Sequence, residues 1–560
     1  MKQSLSAAGY DQPGDDHVWR RDGYCVNDSF DGDALYAELL EILRLTADIS
    51  VFSATLPNAC NDPCSRFHFS NERANLLRPF GACFNLQTRV LEIGAGCGAI
   101  TRFLGESGAQ VIALEASLPQ ARVARERTRD LPNVEVVADR LQDYKSALRF
   151  DVIVIVGALE YAPQYSFAEH PALEMLIAAR ALLHPEGKLL LATANQLGLK
   201  YLAGVPEDTL GSPMAGVEDR YPSRSSRTFG RLELLGLLNK AGFASNEFFV
   251  PLPDFKMPST ILSTKGALSP SEYFDASALA TQAVRRDPRL TPTTFNLQLA
   301  WPEVFANGLA LELCNSFLIQ ARPTAAGWQE PFPLAYHYST QRVARFARET
   351  VFVESEGEGI RVRSHALCIG ADKVEQAGVQ LQVQADGPYY QGTLLITPIR
   401  DLLGTPGWSV DDLAARVREH VAMLSELLEA EGALAELKSF DTILPDHFLD
   451  ATPGNLMLQP NGRAASFDLE WRVSQPTLGW VLWRSLLFLL GGTVLAPMEA
   501  VRAHSLNELI NEVLSKVFDT PMAQEIWLEQ ELAFQLAVTG KDQRQAITGM
   551  LRVKIDIRSA

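Results

Sequence analysis

From Arg89 onward the chain alternates two textures: short β-branched and apolar runs bounded by Gly, Pro or Asn, and longer stretches with apolar positions at helical spacing. The runs are Arg89–Ile93, Gln110–Leu114, Val134–Val137, Phe150–Val156 and Lys188–Ala192. Helical patterns between them cover 99–106, Leu118–Arg129 and Pro171–Leu183. Such alternation predicts a mostly parallel sheet covered by helices on both faces, an α/β class of fold. A polar stretch rich in Pro and Ser, Gly204–Ser226, leads to a predicted helix over Arg231–Ala241 that Gly242 closes. A strand at Ser316–Gln320 completes the domain. Ahead of the sheet, Asp33 opens a helical pattern whose apolar face is Leu35, Leu39, Leu40, Ile42 and Leu43.

Pro323, Pro331 and Pro333 frame a Gly-containing linker. Beyond it, extended candidates at Thr350–Glu354, Gly359–Leu367, Gln380–Gln384 and Gly392–Ile399 precede helical stretches at Val410–Glu431 and in the last eighty residues. Strands first and helices after predict an α+β domain. The expected organisation is an N-terminal helical extension (1–64), an α/β domain (65–322), a linker (323–333) and a second domain (334–560), with no internal repeat.

Composition narrows the function classes. With 560 residues, 47% hydrophobic and 21% charged, the chain is long enough for two or more globular domains. Acids outnumber bases 67 to 50 for a formal charge of −17, so a nucleic-acid backbone would meet a repulsive field and is not the expected partner. The polar N-terminus lacks the apolar run of a secretory signal, which points to the cytoplasm. The most apolar stretch, Thr477–Leu495, carries Arg484 near its middle and the Gly491-Gly492 pair, and reads as a buried helix rather than a membrane span. Seven cysteines, Cys25, Cys60, Cys64, Cys83, Cys97, Cys314 and Cys368, form no CxxC pair and read as reduced thiols. Cys60, Cys64 and His68 would make half a metal site, but no second half is visible, and no metal is expected.

The strongest chemical signal is Val90-Leu91-Glu92-Ile93-Gly94-Ala95-Gly96-Cys97-Gly98 running straight into helix-compatible residues. A strand that ends in glycines and turns into a helix lets main chain approach a ligand where a Cβ would clash. At the end of the next run Glu115 stands 21 residues after Gly94, near the spacing of about 20 for an acid that binds ribose hydroxyls. Gly94-x-Gly96-x-x-Ala99 also passes as a dinucleotide fingerprint. Three features favour S-adenosylmethionine instead: Glu92 before the turn, suited to a cationic amino-acid end; Asp139 after the third run, placed to meet an adenine; and a helix and strand closing the domain after Gly242.

On these residues the segment 65–322 resembles the class I S-adenosylmethionine-dependent methyltransferases, a Rossmann-like, doubly wound fold. The stretches Ser65–Arg78, Gly157–Ala162 and Asn195–Tyr201 resemble a subgroup encoded with bacterial surface-polysaccharide enzymes. The resemblance implies that Gly94, Gly96 and Gly98 line the methionine and ribose, that Glu115 holds the ribose, and that Asp139 with Arg140 flanks the adenine. A methyl donor of this kind is already activated, so catalysis needs in-line positioning and, for a hydroxyl acceptor, a base. Glu160 and His170, after the fourth run, are the candidate bases, and Asn195 and Lys200 are candidates for orienting the acceptor.

In the second domain, Phe448-Leu449-Asp450-Ala451-Thr452-Pro453-Gly454-Asn455 places Asp and Asn five residues apart, and Asp468 follows thirteen residues later. This segment resembles the protein-kinase-like fold of small-molecule and lipopolysaccharide kinases, which implies a Mg-ATP site at Asp450, Asn455 and Asp468. The Gly359-Ile360-Arg361-Val362-Arg363 strand offers Arg where that fold has a phosphate-binding Lys, and no GxGxxG loop precedes it. The leading expectation is an O-methyltransferase acting on a glycan or lipid-linked saccharide in cell-surface polysaccharide (O-antigen or capsule) assembly. Its place would be at the inner face of the membrane, beside an assembly complex. The alternatives are a bifunctional kinase–methyltransferase that phosphorylates and methylates a glycan terminus, and a non-catalytic ligand-binding scaffold.

Overall fold

The computed structural model describes residues 1–24, 33–60, 62–287, 292–325, 332–368, 373–433, 436–498 and 504–555. Two compact units are present: one is Met1–Ser271, Ala276–Leu297 and Glu303–Tyr338, and the other is Glu272–Asp275, Gln298–Pro302 and Ser339–Ala560. The division therefore falls after Tyr338, and residues 326–331 of the expected linker lie outside the described residues. Cys25 lies outside them as well; the other six cysteines are free thiols.

The first unit is built on a twisted sheet. Its strands are β1 (Arg89–Ile93), β2 (Gln110–Glu115), β3 (Val134–Ala138), β4 (Phe150–Val156), β5 (Leu183–Ala194), β6 (Ser245–Leu252), β7 (Thr260–Ser263), β8 (Ser316–Arg322) and β9 (Ala335–Ser339), in the spatial order β3-β2-β1-β4-β5-β8-β6-β7-β9. From β3 to β5 all pairs are parallel. β8 runs antiparallel between β5 and β6, and β6–β7 and β7–β9 are antiparallel too. The parallel strands are buried along nearly their whole length, which is why they read as continuous apolar runs. β6, β7 and β9 had no counterpart among the runs recognised in sequence. The strand order reverses at β1, between β2 and β4, so the carboxyl ends of these strands open the crevice in which such sheets bind ligands.

Helices α1 (Asp33–Leu45), α2 (Ala99–Glu106), α3 (Leu118–Arg127), α4 (Pro171–Leu182) and α5 (Arg231–Lys240) match the helical patterns. Gly242 closes α5 at φ +89°, a left-handed conformation that suits glycine. α1 buries Leu39 and Leu43 with Ile49, Leu56, Phe69, Cys97 and Val123, so the N-terminal extension is part of this unit's core. The first residues go further. Trp19 N–H donates to Val136 O and Ala138 N–H to Trp19 O, each at 2.9 Å, which extends the sheet beyond β3 and covers its open edge. Cys60 donates its thiol hydrogen to Leu56 O, and among the described residues no set of three or more His, Cys, Asp or Glu is arranged to hold a metal ion.

The second unit has antiparallel strands β10 (Arg348–Ser355) and β11 (Gly359–Ala366), then α6 (Ile396–Gly404), α7 (Val410–Ala430), the hairpin β12 (Leu456–Leu458) and β13 (Ala464–Ser466), α8 (Leu478–Leu490) and α9 (Gln524–Thr539). The extended candidate at Gly392–Ile399 is corrected: only Thr393–Leu394 is strand, and Ile396 begins α6. Ile396, Ile399, Leu402 and Leu403 share one helical face there, and Pro398 sits in the first turn, where its missing N–H costs nothing. α8 is the apolar stretch around Arg484. It is buried against α9, Arg484 is ion-paired to Glu531, and no described helix is long and apolar enough to cross a membrane.

Candidate active site

Five strand ends and the loops after them enclose a cavity of about 430 Å³ at the crevice of the first unit. Its floor is the β1–α2 turn. Gly94, Gly96 and Gly98 all hold positive φ, of +79°, +54° and +82°, but for different reasons. A Cβ on Gly94 would lie 2.5 Å from the Ala158 Cβ, and one on Gly98 would lie 2.8 Å from the Ala124 Cα of α3. These two let neighbouring segments pack. A Cβ on Gly96 would meet only Gln120 Oε1, at 3.7 Å, and would otherwise stand in the cavity. Gly98 is absent from the lining, so its expected ligand contact is corrected to a helix-packing role.

Glu115 closes one end. Its Oε2 accepts from Gly96 N–H (2.8 Å) and its Oε1 from Ser117 N–H (2.9 Å), which ties the ribose-type acid to the glycine turn. Ala116 N–H bears on the same carboxylate, so backbone donors from both turns fix its orientation. Glu92 is 2% exposed and accepts from Thr101 Oγ1 at 2.6 Å. Burial pushes its carboxyl up to about 8, and a nearby cation would favour its ionised form. These features fit an adenosyl ligand with a cationic amino-acid end: a turn without a Cβ at Gly96, an anchored acid beside that turn, and a second acid that a cation would ionise.

Asp139 and Arg140 line the same cavity. The structure gives Asp139 partners that sequence reasoning missed. Its Oδ2 accepts from Tyr10 Oη (2.7 Å) and Arg21 Nε (2.8 Å), and its Oδ1 from Arg140 N–H. The Asp139 end of the cavity is therefore built jointly by the exit of β3 and residues 10–24, with Tyr24 Oη donating to Ala116 O beside the Glu115 turn.

Glu160 emerges after β4, 3% exposed, and lines the cavity. Its Oε1 accepts from Ala194 N–H at 3.0 Å, the Thr193 hydroxyl bears on the same carboxylate, and burial outweighs both to raise its carboxyl above the usual range. His170 does not join it. That residue is exposed at the N-terminal end of α4, outside the cavity lining, and is withdrawn as a candidate base. Asn195 and Lys200 are also reassigned. Asn195 Nδ2 donates to Glu312 O and Cys314 O, stitching the β5 exit to β8. Lys200 is 1% exposed, paired to Asp254 (2.9 Å) and Asp287 (3.2 Å).

Aromatic side chains, Tyr161, Tyr165, Tyr201 and Phe255 among them, also line the cavity. The loop after Leu202 adds Glu207, Asp208 and Thr209, residues that no motif marked. In the second unit the structure does bring Asp450 and Asn455 together: Asn455 Nδ2 donates to Asp450 O (2.9 Å) and Oδ2 (3.2 Å). Asp450 also pairs with Arg484, and Glu470 with Arg342. Burial, then repulsion from Glu470, raises the Asp468 carboxyl well above its usual range. Arginines thus answer Asp450 and Glu470, and Asn455 is held by Asp450.

Residues 91–189 match the family model for a methyltransferase domain. The chain is 27% identical over 120 residues to a ubiquinone biosynthesis O-methyltransferase of Salmonella paratyphi A, covering 21% of this chain and 47% of that protein. It is 33% identical over 106 residues to an uncharacterized methyltransferase of Alkaliphilus oremlandii, covering 19% and 45%. The chain thus spans less than half the length of these curated relatives. Among solved structures, a methyltransferase of Thermotoga maritima described as a possible histamine N-methyltransferase aligns at 16% identity, covering 49% of this chain and all of that one, with a TM-score of 0.27.

Proposed function

Because the chain carries a class I S-adenosylmethionine-dependent methyltransferase domain, we propose that it is an O-methyltransferase acting on a small hydroxylated acceptor, a saccharide of the kind found in surface glycans being the leading class. The observation that carries this reading is Glu160, a buried carboxyl group lining the same cavity as Gly96 and Glu115. S-adenosylmethionine, when bound, supplies a methyl group already activated by its positive sulfur. Glu115 and the Gly96 main chain hold the adenosyl end, Glu92 answers the amino-acid end, and Asp139 with Arg140 borders the adenine. The Glu160 carboxylate takes the acceptor hydroxyl proton as that hydroxyl oxygen gains the methyl. The raised pKa brings Glu160 closer to the range in which a base works near neutrality. The aromatic side chains of the lining exclude water and confine the acceptor oxygen to an in-line approach.

Isotope-labelled methyl transfer from S-adenosylmethionine into fractionated cell extract tests the reading. Label should enter a neutral, hydroxyl-bearing compound, and the transfer should fall steeply in Glu160→Gln. Failure of the intact chain to bind S-adenosylhomocysteine in calorimetry would overturn it. A second reading, phosphoryl transfer by the C-terminal unit, rests on the Asp450–Asn455 pair alone. Calorimetry with Mg-ATP decides it, since absence of binding ends that reading.

A further inference from the structure

Between β3 and β4 the chain borders the cavity, with Asp139, Arg140, Leu141 and Gln142 all in its lining. The stretch 139–145 is turn and coil, and its backbone bonds close a single turn in which Asp143 and Tyr144 N–H both donate to Arg140 O. A wall of that kind takes its shape from the side chains that tie it down.

Two side chains from residues 10–24 do so. Tyr10 Oη donates to Asp139 Oδ2 (2.7 Å) and accepts from Lys145 N–H (3.2 Å). Arg21 reaches Asp139 Oδ2 through Nε (2.8 Å) and Asp143 Oδ2 through Nη2 (3.0 Å). The wall is thus pinned at its start, its middle and its end. Asp139 is the hub: its Oδ2 takes both donors, its Oδ1 takes Arg140 N–H at 2.9 Å, and its side chain has 0% exposure. Enclosed in that way, it shapes the cavity through the main chain that it holds. Burial, with the Asp139 carboxylate beside it, keeps the Tyr10 phenol protonated and therefore a donor.

The two side chains are themselves placed by the sheet. Tyr10–Asp11 pairs antiparallel with Arg20–Arg21, Tyr10 directly opposite Arg21, so both project from one face of that ribbon. Trp19 docks the ribbon on β3 with main-chain bonds to Val136 and Ala138 (2.9 Å each) and an indole N–H donated to Glu135 Oε2 (2.8 Å). Tyr24 carries the same segment to the exit of β2, where its Oη meets Ala116 O, another residue of the lining. Residues 10–24 therefore tie together the exits of β2 and β3, the end of the cavity that takes the adenosyl group in the reading above.

We infer that Tyr10 and Arg21 are positioning residues for the cofactor: acting through Asp139, they hold residues 139–145 in the form that accepts an adenosyl group. This rests on the methyltransferase reading and adds to it two residues outside the stretch 91–189 that matches the family model. A wall held before the ligand arrives spares the ligand the cost of ordering it.

The test titrates the intact chain by calorimetry with S-adenosylhomocysteine and with 5′-methylthioadenosine, which keeps the adenosyl part and lacks the amino-acid end. Tyr10→Phe, which keeps the ring, and Arg21→Gln should each bind both ligands about three- to ten-fold more weakly, the scale of ordering one side chain. Asp139→Asn should weaken both as well, and adding Tyr10→Phe to it should bring at most about a two-fold further loss, because residues that act through one partner are not additive. A purely structural contact would lower the melting temperature and leave both affinities unchanged well below it. Unchanged affinity in Tyr10→Phe and Arg21→Gln would overturn the assignment, and those two variants decide the matter where Asp139→Asn does not fold. Losses confined to S-adenosylhomocysteine, or losses that simply add in the double variant, would overturn it too. Absence of S-adenosylhomocysteine binding in the unsubstituted chain would instead overturn the reading beneath it.

Discussion

Replacing Gly96 and Gly98 separately by alanine distinguishes a glycine that makes room for a ligand from one that makes room for a helix. Both residues hold left-handed backbone, at φ +54° and +82°, so each alanine incurs about 1–2 kcal/mol of strain. The Gly96→Ala methyl has only Gln120 Oε1 nearby, at 3.7 Å, so strain is its whole effect on stability. The Gly98→Ala methyl lies 2.8 Å from the Ala124 Cα and 3.1 Å from its Cβ, backbone that cannot yield without moving α3. Overpacking adds about 1–3 kcal/mol there. At about 2–4 °C per kcal/mol, Gly98→Ala should melt at least about 2 °C below Gly96→Ala. Two units give more than one transition, and the relevant one is the transition that S-adenosylhomocysteine raises. In calorimetry Gly96→Ala should bind S-adenosylhomocysteine about ten-fold or more weakly, and Gly98→Ala should bind less impaired than that. Equal melting temperatures for the two variants, or undiminished binding in Gly96→Ala, would refute the division of roles.

Glu160→Gln should lower kcat by about 10²–10⁴ with S-adenosylhomocysteine affinity unchanged. In the unsubstituted enzyme the rate should fall on acidification at a pH above the usual carboxylate range, because the base must be ionised and burial raises its pKa. Asp254→Asn should destabilise the first unit in chemical denaturation by less than the about 3–5 kcal/mol of a wholly unpaired buried charge, since Lys200 loses one of its two carboxylates and keeps Asp287 at 3.2 Å. His420 is buried and its Nε2–H donates to Ala451 O (2.7 Å), and burial lowers its pKa to about 4 from 6.5. A depressed pKa means stability present above pH 6.5 and lost as pH falls toward 4. The second unit should therefore lose up to about 3 kcal/mol over that window, and His420→Gln should flatten the profile.

Legibility followed distance along the chain. Gly94, Gly96, Glu92 and Glu115 could be placed at one cavity because a strand, a turn and a helix in immediate succession position them, and parallel pairing puts the ends of adjacent strands side by side. Glu160 reaches the same lining from the exit of β4. His170 was read from that neighbourhood too, but the ten residues after Glu160 carry the chain out of the crevice to the start of α4. Gly98 shared the motif without sharing the cavity, because which neighbour a glycine faces depends on how α3 packs. Tyr10 reaches Asp139 across 129 residues, and Arg21 reaches it across 118, separations at which no local spacing rule operates.

The amino-acid sequence alone determined the alternation of buried strands and helices, the glycine turn and the acid at the following strand's exit, since periodicity and steric freedom at glycine are local properties. Tertiary structure decided which oxygens stay unpaired. Glu207 and Thr209 are brought to the cavity lining, each with an oxygen cut off from water, by the fold. Lys200 is likewise distinguished only by the two aspartates brought against it. Hydrogen-bond satisfaction and desolvation are sums over neighbours from distant parts of the chain, and those sums exist only once the chain is folded.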